Sequence, residues 1–545
     1  MPSPTGSGQA ATAAWKRLII LSVLVALLLQ GGVAVFAAQN DSPANDRRRR
    51  IYQEQQREIL LNLRHEIGQL SRQCFEDGMQ QAATDLTEIS LRLTNPAADF
   101  TPPREVTLPI STSLPPLEQA WRHRLKKLRE DRAAEVYVLA RRCLRNDQPT
   151  LAFDMVQTVL RLDPDHQYAR AVIGQQLFND PLRSEDPAYA GEWVSAFEAE
   201  KRSGQAPEVN HPDFGWIPIS HVRRYEEGLR PWRGDWISAE KEAGLRRDFD
   251  SGWEIRSEHF LIKTNTSLAE GVRISRRLER FYAWLRHNLA AFFDTPQALE
   301  KRFDQMRISR SRRNRDRPME VHYFQSRDEY NRRLRGKVPA DRVTNGVYWE
   351  PDRRCYFFRN DEDPDQRTMF HEATHQILDL ATAEHRATAA RIRRRVAGRG
   401  GVGRWKLCEN SNFWIIEGLA SYFESFEIND GEISVGDPDF IRFVGAKQRL
   451  TIDNFYIPLR AFCSLGYDQF MQHPNVAQFY TQSSGVAHFL MHYDDGRYRD
   501  DLVTLLSAVY RPDLRNITAE PSLEQISGVS FEQLDQQYRD HISGL

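Results

Sequence analysis

Cysteine is scarce in this chain, with five residues among 545: Cys74, Cys143, Cys355, Cys408 and Cys463. No two form a C-x-x-C pair, which argues against a cysteine zinc site or a dithiol redox motif. The odd, sparse count also excludes a disulfide-dense scaffold and leaves room for one or two bridges. An excess of either charge is missing too. The formal net charge is −1, so no global field draws nucleic acid or acidic lipid. Basic residues gather only locally, at Arg47–Arg50, across 307–317 and across 386–405. No aromatic-interleaved basic sheet motif accompanies them, so they read as solvated or loop segments and nucleic acid is not an expected partner.

One long uncharged run is present, from Leu18 to Ala38, behind an acid-free leader ending in Lys16-Arg17. That is the layout of a secretory signal, with Gly31-Gly32 to break the helix and Val35-Phe36-Ala37 as a small-residue cleavage site. The same 21 residues would also span a bilayer as an N-terminal anchor. Either way the bulk of the chain is expected outside the cytoplasm, secreted, periplasmic or tethered.

The remainder is ordinary globular sequence, 40% hydrophobic and 27% charged, long enough for about two to four domains. Residues 39–50 read as a polar linker. Residues 51–180 are expected to be helical: Leu60, Leu63, Ile67, Leu70 and Cys74 recur at helical intervals, and 133–170 resembles a single tetratricopeptide-type hairpin. Such a region suits a protein partner. Residues 181–252 form a Trp-rich connecting module of short strands, in which Trp216, Trp232, Trp236 and Trp253 are expected to be core. From 253 to 545 the pattern is α+β. Strands are predicted at 253–265, at 319–324 and twice within 344–360, and a long helix over 267–293.

The chemistry is concentrated in "TMFHEATHQILDL" (368–380). On a helix, His371 and His375 stack on one face and both reach one metal ion. Glu372, one residue along, leans over the open position as a general base for water. A catalytic zinc also needs a third ligand. "NFWIIEGLASYFESFE" (412–427) places Glu417 in an apolar helix, where a carboxylate needs either a metal or an ion-pair partner. Glu424 lies two turns on.

"HEATH", followed by a helix of form W-x-x-E-G-x-A-x-Y-x-E, resembles the gluzincin metallopeptidases, the peptidase-MA-like group that includes aminopeptidase N. The resemblance covers roughly 345–495. It implies a thermolysin-like α+β catalytic domain with one Zn2+ held by His371, His375 and Glu417, and Glu372 as base. Glu424 would hold a histidine ligand or be a surface residue. Tyr480, 63 residues after Glu417, would donate to the oxyanion or be a core tyrosine. The cleft-edge strand would be "GVYWE", with Gly346, Val347 and Tyr348 pairing extended substrate. His488 and His492, also four apart, read as core or supporting groups.

Two departures shape the expectation. Forty-one residues separate His375 from Glu417, with the basic 386–405 segment expected as a loop beside the cleft. The G-x-M-x-N strand that holds a free amine in aminopeptidases is missing, with Glu350 the nearest stand-in, so exo- and endopeptidase action both stay open. The leading expectation is an extracytoplasmic zinc metallopeptidase acting on a peptide or protein. The alternatives are a non-catalytic surface protein working through its helical region, or a zinc hydrolase of a non-peptide amide.

Overall fold

The computed structural model describes residues 42–93, 101–306, 317–338, 344–360, 366–396, 407–429, 432–514 and 520–545. The expected signal or anchor lies outside them. No helix among the described residues is long and apolar enough to cross a membrane.

The N-terminal region is a helical layer. Helix α1 (Ser42–Glu76) packs on α2 (Gln80–Arg92) and on α3 (Pro116–Arg145), which turns through Asn146–Gln148 into α4 (Pro149–Leu162). Leu63, Ile67, Leu70 and Cys74 form the buried stripe of α1 and meet Val136, Ala140, Phe153 and Val156 in one core. The expected linker at 39–50 is helical from Ser42, and one residue of the basic run is not solvated. Arg49 is 6% exposed. Its guanidinium donates to the carbonyls of Asp495 and Gly496, far along the chain. A tertiary anchor of this kind leaves no local signal in the sequence.

The Trp-rich module is a set of two-stranded ribbons: β1 (Gln176–Phe178) with β2 (Glu192–Val194), β3 (Glu208–His211) with β4 (Gly215–Pro218), and β5 (Leu229–Trp232) with β6 (Asp235–Ser238). A ribbon this small buries an indole only where other elements cover it, as Asp165 and Arg170 of the helical layer do for Trp193 of β2. Trp253 is buried as expected, but Trp216, Trp232 and Trp236 are only half-buried. Guanidinium groups cover two of them, Arg246 over Trp232 at 5.1 Å and Arg224 over Trp236 at 4.6 Å.

The C-terminal region is mixed α/β. Its five-stranded sheet has the order β10-β11-β9-β8-β7, made from β7 (Trp253–Arg256), β8 (Phe260–Thr264), β9 (Met319–Phe324), β10 (Gly346–Trp349) and β11 (Arg354–Phe358). The single strand expected over 253–265 is a hairpin, because Ser257 turns the chain and its N–H donates to the Phe260 carbonyl. The central strands β8, β9 and β11 run parallel, and the edge strands β7 and β10 are antiparallel to their neighbours. Alternation sorts the two faces. Val321, Tyr323, Cys355 and Phe357 enter the main core, whereas Phe324, Tyr356 and Phe358 join a smaller cluster with Phe249 and Tyr330.

Helix α5 (Leu268–Asn288), capped by Ser267, lies on the main face. It meets α6 (Arg367–Val396) through Phe281 and Phe370, whose ring centroids are 5.0 Å apart. The expected loop at 386–405 is helical as far as Val396, the end of α6, with the rest outside the described residues. Its Ala- and Arg-rich sequence favours helix, and Arg386 is tied to Asp379 and Glu350. All five cysteines are buried and unpaired, so the bridges the count allowed do not form.

Helix α7 (Trp414–Phe423) packs along α8 (Val476–Gly496). The helices touch at Gly418, where an added Cβ would sit 2.6 Å from the Ser483 carbonyl oxygen. Backbone cannot yield as a side chain can. We predict that Gly418→Ala lowers stability by about 1–3 kcal/mol in urea denaturation. An unchanged midpoint would mean that the two helices separate freely.

Candidate metal centre

The first half of α6 presents His371 and His375 one turn apart, with ring centroids 5.0 Å apart. The first turn of α7 presents Glu417 across from them. Its Oε2 lies 3.4 Å from His371 Nε2 and 3.8 Å from His375 Nε2. A tetrahedral zinc with N and O ligands at about 2.0–2.1 Å separates its ligand atoms by about 3.3–3.4 Å. The His371–Glu417 separation matches that spacing, the His375–Glu417 separation is about 0.4 Å wider, and all three donors lie within 4.8 Å of one another; they are of the types a catalytic zinc uses. Among the described residues this is the one group of three or more His, Cys, Asp or Glu side chains so placed. Side-chain exposures of 13% to 16% leave the cluster within reach of solvent.

Glu424, at the C-terminal end of α7, accepts from His371 Nδ1 at 2.8 Å. That bond places the His371 proton on Nδ1 and turns Nε2 toward Glu417. Glu424 is itself gripped by Arg442, whose Nε and Nη each donate at 2.9 Å. Burial opposes ionisation of Glu424, but His371 and Arg442 outweigh it and hold the carboxyl below its ordinary range. Burial would likewise lower the pKa of His371, yet hydrogen bonds to Glu417 and Glu424 push it up to about 10 in the metal-free chain. Burial lowers that of His375.

Glu372 is positioned from the sheet. Its Oε2 accepts from the Tyr348 backbone N–H of edge strand β10 at 2.7 Å. The Tyr348 hydroxyl donates to Asp379 at 2.6 Å, one turn past His375, and Asp379 is paired with Arg386. Tyr348 thus fastens the sheet edge to the histidine helix at two points. Of the expected substrate strand, Gly346 and Tyr348 turn their backbone groups to the outer side, away from β11. Val347 departs from the expectation. By the same alternation its backbone faces β11, and its side chain packs on the cluster around Tyr356 and Phe358. A side chain at Gly346 would collide with Phe357, 2.7 Å from an added Cβ.

Tyr480 sits on α8, with its ring edge-on to Phe470 and its hydroxyl 3.7 Å from the Met471 sulfur. His488 and His492 lie deeper on that helix. His488 is wedged between His541 and the Gly436 carbonyl, and His492 meets the Tyr422 hydroxyl at 2.7 Å. Burial drives the pKa of His488 down to about 3 and that of His492 to about 4, so both are neutral packing groups. Glu350 is engaged by Arg386 at 2.9 Å.

Sequence reasoning missed Asp379 and Arg442. Asp379 had a signal, because it follows His375 by four residues and shares its face. Arg442 had none, since its link to Glu424 is made only in three dimensions. Comparison with protein-family models, with curated proteins and with solved structures finds no match to this chain.

Two outcomes follow. Removing the Glu424 charge by Glu424→Gln should weaken zinc binding by about 10- to 100-fold in a chelator competition, with the helix content unchanged. Zinc must also displace the second proton of His371, the one on Nε2, which is retained below about pH 10 in the metal-free chain, while the Nδ1 proton stays on its bond to Glu424. Uptake should therefore strengthen as pH rises from neutral toward 10. Calorimetry in two buffers of different ionisation enthalpy should read a net proton release, and buffer-independent heats would contradict this arrangement.

Proposed function

We propose that this chain is a zinc-dependent metallopeptidase of the gluzincin type, acting outside the cytoplasm. One observation carries the reading. His371, His375 and Glu417 offer donor atoms within 4.8 Å of one another while the backbone of the sheet's edge strand holds the neighbouring Glu372. A thermolysin-like catalytic domain over 253–545 is part of the same proposal. The uncharged run after Lys16-Arg17 supports export.

Zinc in this position would polarise a scissile carbonyl and acidify water. Glu372 would take the proton from the attacking water and pass it to the leaving nitrogen, so one carboxylate serves as base and then acid. The Tyr348 N–H restricts the rotation of that carboxylate. Glu424 keeps the His371 ring from turning away. Strand β10 supports a peptide as substrate, because its outer edge offers the backbone groups of Gly346 and the Tyr348 carbonyl to an extended chain, the Tyr348 N–H being held by Glu372. Tyr480, whose hydroxyl lies 3.7 Å from the Met471 sulfur, would be the donor to the oxyanion.

Digestion of a peptide library by the zinc-loaded protein tests this. Glu372→Gln should retain zinc and lose about 10²- to 10⁴-fold in cleavage rate. Tyr480→Phe should lower kcat more than it raises KM. If Glu372→Gln carries full zinc and cleaves like the wild type, the mechanism is wrong. If the wild type binds no zinc, so is the site.

A further inference from the structure

A groove of about 2340 Å3 runs between the Trp-rich module and the C-terminal region, and its lining includes none of His371, Glu372, His375 or Glu417. Helix α5 forms one wall, and residues 193–216 form much of the other. Several acids of the lining are committed. Glu270 pairs with Arg273 at 2.7 Å, Glu279 accepts from His259 through both its backbone N–H at 2.6 Å and its ring at 2.7 Å, and Glu427 pairs with Arg367.

Three guanidinium groups are not committed in this way. Arg280 makes no hydrogen bond or ion pair among the described residues, and its neighbouring charge is another cation, Arg276. Arg276, one turn away on the same face of α5, has a single long contact with the Pro212 carbonyl at 3.5 Å. Arg256, from the end of β7, has an Nη atom that is buried and lacks a hydrogen-bond partner. Two like charges a turn apart repel, and a buried guanidinium N–H without an acceptor is costly. An anion lying in the groove relieves the repulsion between Arg276 and Arg280. Across from them, half-buried Phe197 and Trp216 meet edge to face at 5.8 Å and offer apolar surface.

We propose that this groove binds an acidic peptide segment. Arg276 and Arg280 take its carboxylates, and Phe197 and Trp216 take its apolar side chains. Lining carboxylates such as Glu258 and Asp213 are interspersed with the arginines, which disfavours a dense polyanion such as a nucleic acid and suits carboxylates spaced along a peptide. The groove reaches Glu427, three residues beyond Glu424, and Glu427 pairs with Arg367 one turn before His371. A segment bound there leads toward the histidine helix. The proposal concerns binding and stands whether or not the chain hydrolyses peptides.

The test is fluorescence anisotropy with the full chain carrying Glu372→Gln and a labelled peptide of glutamates spaced by glycine and leucine. Controls are its lysine counterpart, a neutral counterpart and a single-stranded oligonucleotide. The acidic peptide should bind tightest, and its affinity should fall with salt. Arg276→Glu with Arg280→Glu should weaken it by about tenfold or more. Both side chains are exposed, so circular dichroism should not change, and the milder Arg276→Ala with Arg280→Ala should give an intermediate loss. Equal binding of the acidic and neutral peptides would overturn the proposal. So would an affinity unmoved by charge reversal, or tighter binding of the oligonucleotide.

Discussion

Two carboxylates on one short helix must be compensated inside an apolar core, and the placement of the elements around them follows from that need. Glu417 and Glu424 belong to α7 and its end, where every residue from Trp414 to Phe423 other than Glu417 is buried. Uncompensated charge in such a place costs several kcal/mol. Glu424 is offset by His371 and Arg442. Glu417 faces both histidines and would be completed by a divalent cation. The histidines can sit there only because α6 runs alongside α7, and α7 is held in place by the close approach of Gly418 to Ser483.

The sheet supplies the other half of the arrangement. Strand β10 is an edge, and an unpaired edge is ordinarily a liability. Here it is partly consumed from within the chain, because the Tyr348 N–H bonds to a side chain on the histidine helix. The phenol of the same residue bonds to Asp379. One tyrosine therefore links backbone geometry in the sheet to side-chain geometry on the helix, through two hydrogen bonds that differ in kind.

The helices that carry the centre were legible in the sequence because their signals are local. The spacing of His371 and His375, the acid after the first histidine and the apolar frame of Glu417 all lie within single turns. The long helix expected over 267–293 begins in the structure at Leu268, just after Ser267. What escaped detection depends on distant pairs. Arg49 reads as one arginine in a solvated run until its carbonyl partners are known, and Arg442 reads as an ordinary helical cation. Trp216, Trp232 and Trp236 misled for a different reason: hydrophobic character predicts burial only where enough chain surrounds it, and a two-stranded ribbon does not provide that by itself. Val347 shows the limit of reading a strand as a block, since successive residues face opposite ways.

At the end of α8 the chain leaves the helix through three consecutive left-handed residues, Asp494, Asp495 and Gly496, with φ of 49°, 55° and 75°. Side chains rarely adopt this conformation, and it turns the carbonyls of Asp495 and Gly496 toward Arg49. The partners are 447 positions apart in sequence. During synthesis the beginning of α1 is therefore made long before its receptor exists. Arg49 must wait for these acceptors until nearly the whole polypeptide has emerged, and its docking reports that the C-terminal helices have assembled.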